Sequence, residues 1–169
     1  MENRPATNIH DTGIIPPVYA FLHKIGIAVS EEPLDGETFL PGLRIRNGVL
    51  VVDRQRLAYP GDILHEAGHI AVTAAADRAG TTGNVTEDHP EKTGEEMAVM
   101  LWSYAACKAI GIPPETVFHP DGYKGDNEWI LENYRNANYI GLPLLKWMGL
   151  TQGTEGKPPF PAMTKWLRD

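Results

Sequence analysis

Cysteine is almost absent from this chain, and long apolar runs are absent altogether. Cys107 is the only cysteine among 169 residues, so no intrachain disulfide can form and a disulfide-stapled secreted fold is excluded. Its apolar surroundings in the sequence favour a buried, inert thiol. No stretch approaches the roughly 18 apolar residues that span a bilayer, and residues 1–5 lack the apolar segment of a secretory signal. We therefore expect a cytoplasmic protein with no membrane partner.

Positive charge is also scarce. The chain carries 15 Lys and Arg against 22 Asp and Glu, a net charge of −7, and no cluster of basic residues. This balance argues against nucleic acid or an anionic membrane as the main partner. Hydrophobic residues make up 42% of the chain, which is enough for one core, and we predict a single domain over residues 1–169.

The most informative pattern that is present is His65-Glu66-Ala67-Gly68-His69, an H-E-x-x-H sequence. On a helix, positions i and i+4 lie one turn apart, roughly 6 Å along the axis, so both imidazoles can reach one Zn²⁺ at about 2.0–2.1 Å. Glu66 then flanks the metal as a general base that takes a proton from a water the metal activates. The motif predicts a zinc metallopeptidase that hydrolyses a peptide or protein substrate.

The flanking residues predict a helix around this motif. Pro60 and Gly61 interrupt the preceding segment, Asp62 is suited to the N-cap, and apolar residues continue to Ala76 before Gly80. The alternative interpretation is a surface helix that carries two unrelated histidines.

Residues 43–53 predict a β-hairpin immediately before that helix. Two short apolar strands are joined by Asn47-Gly48, the pair preferred in a type I′ turn. The fold class predicted is therefore α+β, mostly helical, with a small antiparallel hairpin or sheet ahead of the active-site helix. An edge strand of the hairpin either holds an extended peptide by main-chain hydrogen bonds or only covers the helix.

The third zinc ligand has to come from elsewhere in the chain. The extended metzincin pattern requires Gly at 72 and His at 75, where this chain has Val72 and Ala75, so that class is excluded. A second apolar helix begins near Thr93 and carries Glu95 and Glu96 at its head. Either carboxylate would complete a His₂Glu site, unless both only complement the dipole of the helix N-terminus.

The two motifs together resemble the gluzincin-type metallopeptidase domain of the ImmA/IrrE family. In that family an H-E-x-x-H helix precedes a helix of pattern E-x-x-A-N-x-F-A, and the similarity extends over about residues 43–111. Aligning Ala98 with the family alanine places Glu95 at the ligand position, with Glu96 as the alternative. The resemblance implies a zincin-like fold and zinc-dependent peptide hydrolysis.

Further donors are expected from two loops. Residues 119–126 have turn chemistry, and His119 and Tyr123 within them are candidates for binding substrate or the oxyanion of the tetrahedral intermediate; the alternative is a surface loop. His89, in the polar connection between the two helices, is a further candidate ligand or donor, against a solvated histidine.

Two non-catalytic alternatives accompany the peptidase hypothesis. In the first, zinc joins the two helices of a binding or regulatory module that has no turnover. In the second, the motif helix persists in a domain that binds no metal. Glu66 favours catalysis, because a structural zinc site has no use for a general base and normally fills four ligand positions.

Overall fold

The computed structural model describes residues 13–83, 94–152, 156 and 158–169; the candidate His89 lies outside them. The described helices and strands follow in chain order: α1 Ile15–Ile25, β1 Val29–Glu31, β2 Leu43–Arg46, β3 Val49–Val52, α2 Asp62–Val72, α3 Ala75–Arg78, α4 Glu96–Ile110, α5 Asn127–Arg135 and α6 Leu142–Trp147. The predicted α+β class is confirmed. Within these residues, no helix has the length and apolar content that crossing a membrane requires.

The predicted hairpin is confirmed, but the sheet contains one more strand than expected. Strands β2 and β3 pair antiparallel with Arg46 opposite Val49, and both Asn47 and Gly48 have positive φ, as a type I′ turn requires. Strand β1 pairs with β3 in parallel, giving the order β1-β3-β2. The prediction of a purely antiparallel sheet was therefore wrong, because a three-residue strand has too little periodicity to be detected.

Helix α2 is shorter than predicted. It ends at Val72 because Thr73 adopts an extended backbone, with ψ of 134°, and the Thr73 hydroxyl donates to the His69 carbonyl oxygen at 2.7 Å. The alanines beyond it belong partly to α3. At the other end Asp62 is not the N-cap; it lies in the first turn, after Gly61.

Helix α2 lies at the centre of the core. Every one of its residues is buried, since β2 and α1 contact it from the sheet side and α4 packs along it. The α4 surface includes Trp102 and Cys107, both with no exposed area. Burial raises the pKa of the Cys107 thiol to about 12, in agreement with an inert thiol.

Gly68 allows the close approach of α2 and α4. A Cβ atom at this position would lie 2.9 Å from Cγ1 of Val99 and 3.3 Å from Cε3 of Trp102. Both distances are shorter than ordinary van der Waals contact, so a side chain here would force Val99, Trp102 or the helices themselves to shift. Since one helix carries the histidines and the other the glutamates, this glycine also sets the width of the candidate site.

We expect Gly68→Ala to lower the free energy of unfolding by about 1–3 kcal/mol, the usual effect of overpacking a core. Urea denaturation of the metal-free protein measures it. Gly80→Ala is the matched control, because a Cβ there meets only Asp77 O at 3.5 Å and should be neutral or slightly stabilising. Equal stability of both variants would contradict the role assigned to Gly68.

Candidate metal centre

Two histidines and one glutamate converge between α2 and α4. Nε2 of His65 lies 2.9 Å from Oε1 of Glu96, and Nε2 of His69 lies 3.3 Å from Oε2 of the same carboxylate. One ligand atom from each residue lies within 4.8 Å of the others. The histidines are 7% exposed each, whereas the Glu96 side chain is 31% exposed, so the cluster lies at the inner wall of an open site.

This donor set fits a zinc ion. Two nitrogen ligands and one carboxylate leave a fourth position open, as catalytic zinc sites do. Ligand atoms about 2.0–2.2 Å from an ion, at a tetrahedral angle, lie about 3.3 Å apart, close to the separations between Glu96 and the two imidazoles. The three candidate ligand atoms lie within 4.8 Å of one another, so one ion could be reached by all three after the side chains adjust.

The electrostatics keep Glu96 ionised. Burial by itself would raise the pKa of this carboxyl, but hydrogen bonds from His65 and His69 outweigh burial and hold the pKa well below its usual range. A metal ligand must be deprotonated to bind. Glu96 is thus in the form that a cation requires.

Glu66 differs from Glu96 in its surroundings. Burial raises the pKa of Glu66 to about 7, with His69 acting against the rise and the carboxylates of Glu96 and Asp62 adding to it. Glu66 is 8% exposed and lines a pocket of about 330 Å³ together with Phe39, Leu40 and Arg44. A carboxyl group with a pKa near neutrality can both accept and return a proton at physiological pH.

Glu95, the residue preferred from the family alignment, does not approach the histidines. Its Oε1 lies 3.8 Å from Nη1 of Arg168 in the C-terminal segment. Arg168 also donates its backbone N–H to Ala71 O at 2.9 Å, which holds it beside the end of α2. Adjacent residues at a helix start point about 100° apart, so only one of the two glutamates can face His65, and Glu96 is the one that does.

Tyr123 contacts His65, one of the candidate metal ligands. Its hydroxyl lies 3.0 Å from Nδ1 of His65, and burial raises the pKa of the phenol well above its usual value, so the group stays protonated. A partner on Nδ1 leaves Nε2 to face the metal position. The structure therefore places Tyr123 behind His65, where it orients the imidazole.

His119 lies beside the cluster and is held by two neighbours. Nε2 of His119 is 2.8 Å from Oδ1 of Asp62, one helical turn before His65, and its ring stacks on Tyr59 with centroids 3.8 Å apart. Nδ1 is buried and has no hydrogen-bond partner among the described residues. Sequence analysis missed Asp62 and Tyr59, because their roles arise from contacts with residues about 60 positions away.

Both loop residues line a cleft of about 460 Å³ that also contains His65 and Glu96. The expected convergence of residues 119–126 on the site is thus present in the structure. Their roles in substrate or oxyanion binding stay predictions.

The position of Tyr123 leads to a test that needs no substrate. Tyr123→Phe should weaken zinc affinity by about 10–100-fold, the usual effect of removing a hydrogen-bond partner of a ligand, while about one zinc per chain still binds at saturation. Competition with a chelator measures this affinity. Tyr134→Phe is the control, since Tyr134 is also buried but packs on Phe118 and Tyr104. An equal loss in both variants would contradict a specific role for Tyr123.

Comparison of the chain with models of protein families, with curated proteins and with solved structures finds no match. The function therefore has to be argued from the site itself.

Proposed function

We propose that this chain is a zinc-dependent metallopeptidase of zincin-like fold, related to the ImmA/IrrE family and acting on a peptide or protein substrate in the cytoplasm. The observation that carries the proposal is the cluster of His65, His69 and Glu96, whose candidate ligand atoms lie within 4.8 Å of one another, with the buried Glu66 next to His65 in the same helix. A site that only binds a metal has no use for a further buried carboxyl group next to its ligands.

In this proposal His65, His69 and Glu96 hold Zn²⁺. A bound zinc ion supplies a Lewis acid that polarises a peptide carbonyl and acidifies water. Glu66 takes the proton of the attacking water and returns it to the leaving amine, so that one carboxyl serves as base and then as acid. Tyr123 keeps His65 oriented through its hydroxyl, and His119 lines the cleft with its Nε2 held by Asp62.

The sheet supports binding of an extended peptide. Strand β2 is at the edge of the sheet, and its residues Leu43 and Arg44 share the pocket of Glu66. Near the hairpin turn this edge is already occupied, because the N–H of Gly83 donates to Ile45 O at 2.9 Å. At the other end of β2 the N–H of Leu43 donates to Leu40 O at 3.1 Å, so a substrate strand would have to pair with the remaining edge groups of β2.

The experiment that tests the proposal is metal removal and replacement. Protein purified without a metal-affinity tag is stripped with a chelator, reloaded with zinc, and incubated with a peptide library whose products are read by mass spectrometry. We expect cleavage by the reloaded wild type and none by His69→Ala. Zinc bound at about one per chain without any cleavage would overturn the peptidase proposal and favour the metal-stabilised binding module.

A further inference from the structure

An apolar pocket of about 360 Å³ opens beside the metal centre, where α4 faces α5. Most of its described wall is hydrophobic: Met97, Met100, Trp129, Ile130, Tyr134 and Ile140. Its volume falls within the range of about 300–1,000 Å³ that is usual for ligand sites. We call this feature the apolar pocket.

The apolar pocket adjoins the metal cleft. Tyr123 and Lys124 line both cavities, and the Tyr123 ring centroid is only 5.8 Å from that of His65. On the other wall, Met97 directly follows the ligand Glu96. The two cavities are therefore neighbours that share the side chains of Tyr123 and Lys124 as a common wall.

The residues at this pocket are unusually exposed for their type. Trp129 is 58% exposed and Met97 is 50% exposed. Single exposed apolar residues are common on protein surfaces, but two large ones beside the same cavity indicate a binding surface. The charged residues among the described lining are Lys124 and Asp126, which have opposite signs. The pocket thus offers no net charge to attract an ionised side chain.

We infer that the apolar pocket binds a large apolar side chain of the substrate, of the Phe, Leu or Met class, on a residue adjacent to the scissile bond. This inference rests on the proposed function. Consecutive Cα atoms of a peptide are 3.80 Å apart, so a residue flanking a carbonyl at the metal position brings its side chain to the Tyr123 ring. The pocket then determines which peptide bonds are cut.

The test uses the zinc-loaded full chain and the mapped products of the peptide library. We expect one position beside the cleavage site to be enriched in large apolar residues. For a matched pair of peptides with Phe or Ala at that position, kcat/KM should be about tenfold or more higher for Phe, as expected for several methylene-sized groups in an apolar pocket. Cleavage without this preference would overturn the inference while the peptidase function stands.

Two tryptophan variants locate the effect. Trp129→Ala removes a wall of the pocket and should reduce the Phe-to-Ala ratio several-fold. Trp147→Ala is the matched control, because Trp147 is 72% exposed and lies against Arg168, and it should leave the ratio unchanged. A ratio unaffected by Trp129→Ala would contradict the assignment of the pocket.

A binding measurement separates this inference from the proposed function. Zinc-loaded protein is titrated with N-acetylphenylalaninamide and with N-acetylalaninamide, and binding is followed by NMR shifts. Saturable binding of the Phe amide alone, lost in Trp129→Ala, would support the pocket even if no peptide is cleaved. Equal responses to both amides would overturn it.

Discussion

Replacement of Glu96 by alanine is expected to abolish stoichiometric zinc binding, whereas Glu95→Ala should retain about one zinc per chain. Glu96 reaches both imidazoles, at 2.9 and 3.3 Å, while Glu95 pairs with Arg168. Removal of a direct ligand should weaken affinity by more than the roughly 10–100-fold caused by loss of an outer hydrogen-bond partner. Elemental analysis and competition with a chelator measure both quantities.

The pair of variants is a stringent comparison because the two residues are adjacent and chemically identical. Both substitutions remove one negative charge from the start of α4, so any general effect on the helix dipole, about 0.3–1 kcal/mol, is shared between them. Zinc retained in Glu96→Ala and lost in Glu95→Ala would reverse the assignment. Zinc retained in both would remove the carboxylate from the site.

Glu66→Gln is expected to lower kcat by at least about 10²–10⁴-fold, the range attributed to a positioned general base, with zinc content unchanged. Glutamine has nearly the same shape but cannot take up a proton. Because burial already favours the neutral form of Glu66, the amide should be tolerated without a large loss of stability. Single-turnover cleavage of a library-derived peptide, measured with zinc analysis of the same sample, checks the prediction.

Glu37→Gln provides the control for Glu66→Gln. Glu37 lines the same pocket but is exposed and is not among the candidate metal ligands, so its replacement should leave kcat within a few-fold of wild type. Wild-type turnover by Glu66→Gln would exclude Glu66 from the mechanism. A parallel loss of zinc would mean that the carboxylate contributes to metal binding.

Local patterns in the chain predicted the features that depend on neighbouring residues. His65 and His69 share a helix face because they are four positions apart, and Asn47-Gly48 forms the turn of the hairpin because both residues accept positive φ. These predictions needed no knowledge of the rest of the molecule. The extra strand β1 was missed because it is recognised only by its pairing with β3, about 20 residues later.

The choice between Glu95 and Glu96 could not be predicted from local sequence patterns. Both residues precede or begin the same helix, and the choice depends on how α4 is rotated about its axis against α2. That rotation follows from packing at Gly68 against Val99 and Trp102, and Arg168 then gives Glu95 a different partner. An alignment anchored on Ala98 contains none of these contacts.

The sequence by itself determined that His65 and His69 would lie on one face of a helix, since this follows from helix periodicity alone. Only the tertiary structure decided which carboxylate joins them, that Tyr123 supports His65, and that an apolar pocket adjoins the cleft. The contacts at the metal centre join residues that are far apart in the chain. Glu96 is 27 positions from His69, and Tyr123 is 58 positions from His65. Such contacts depend on how whole helices pack against one another, and no short sequence pattern specifies that packing.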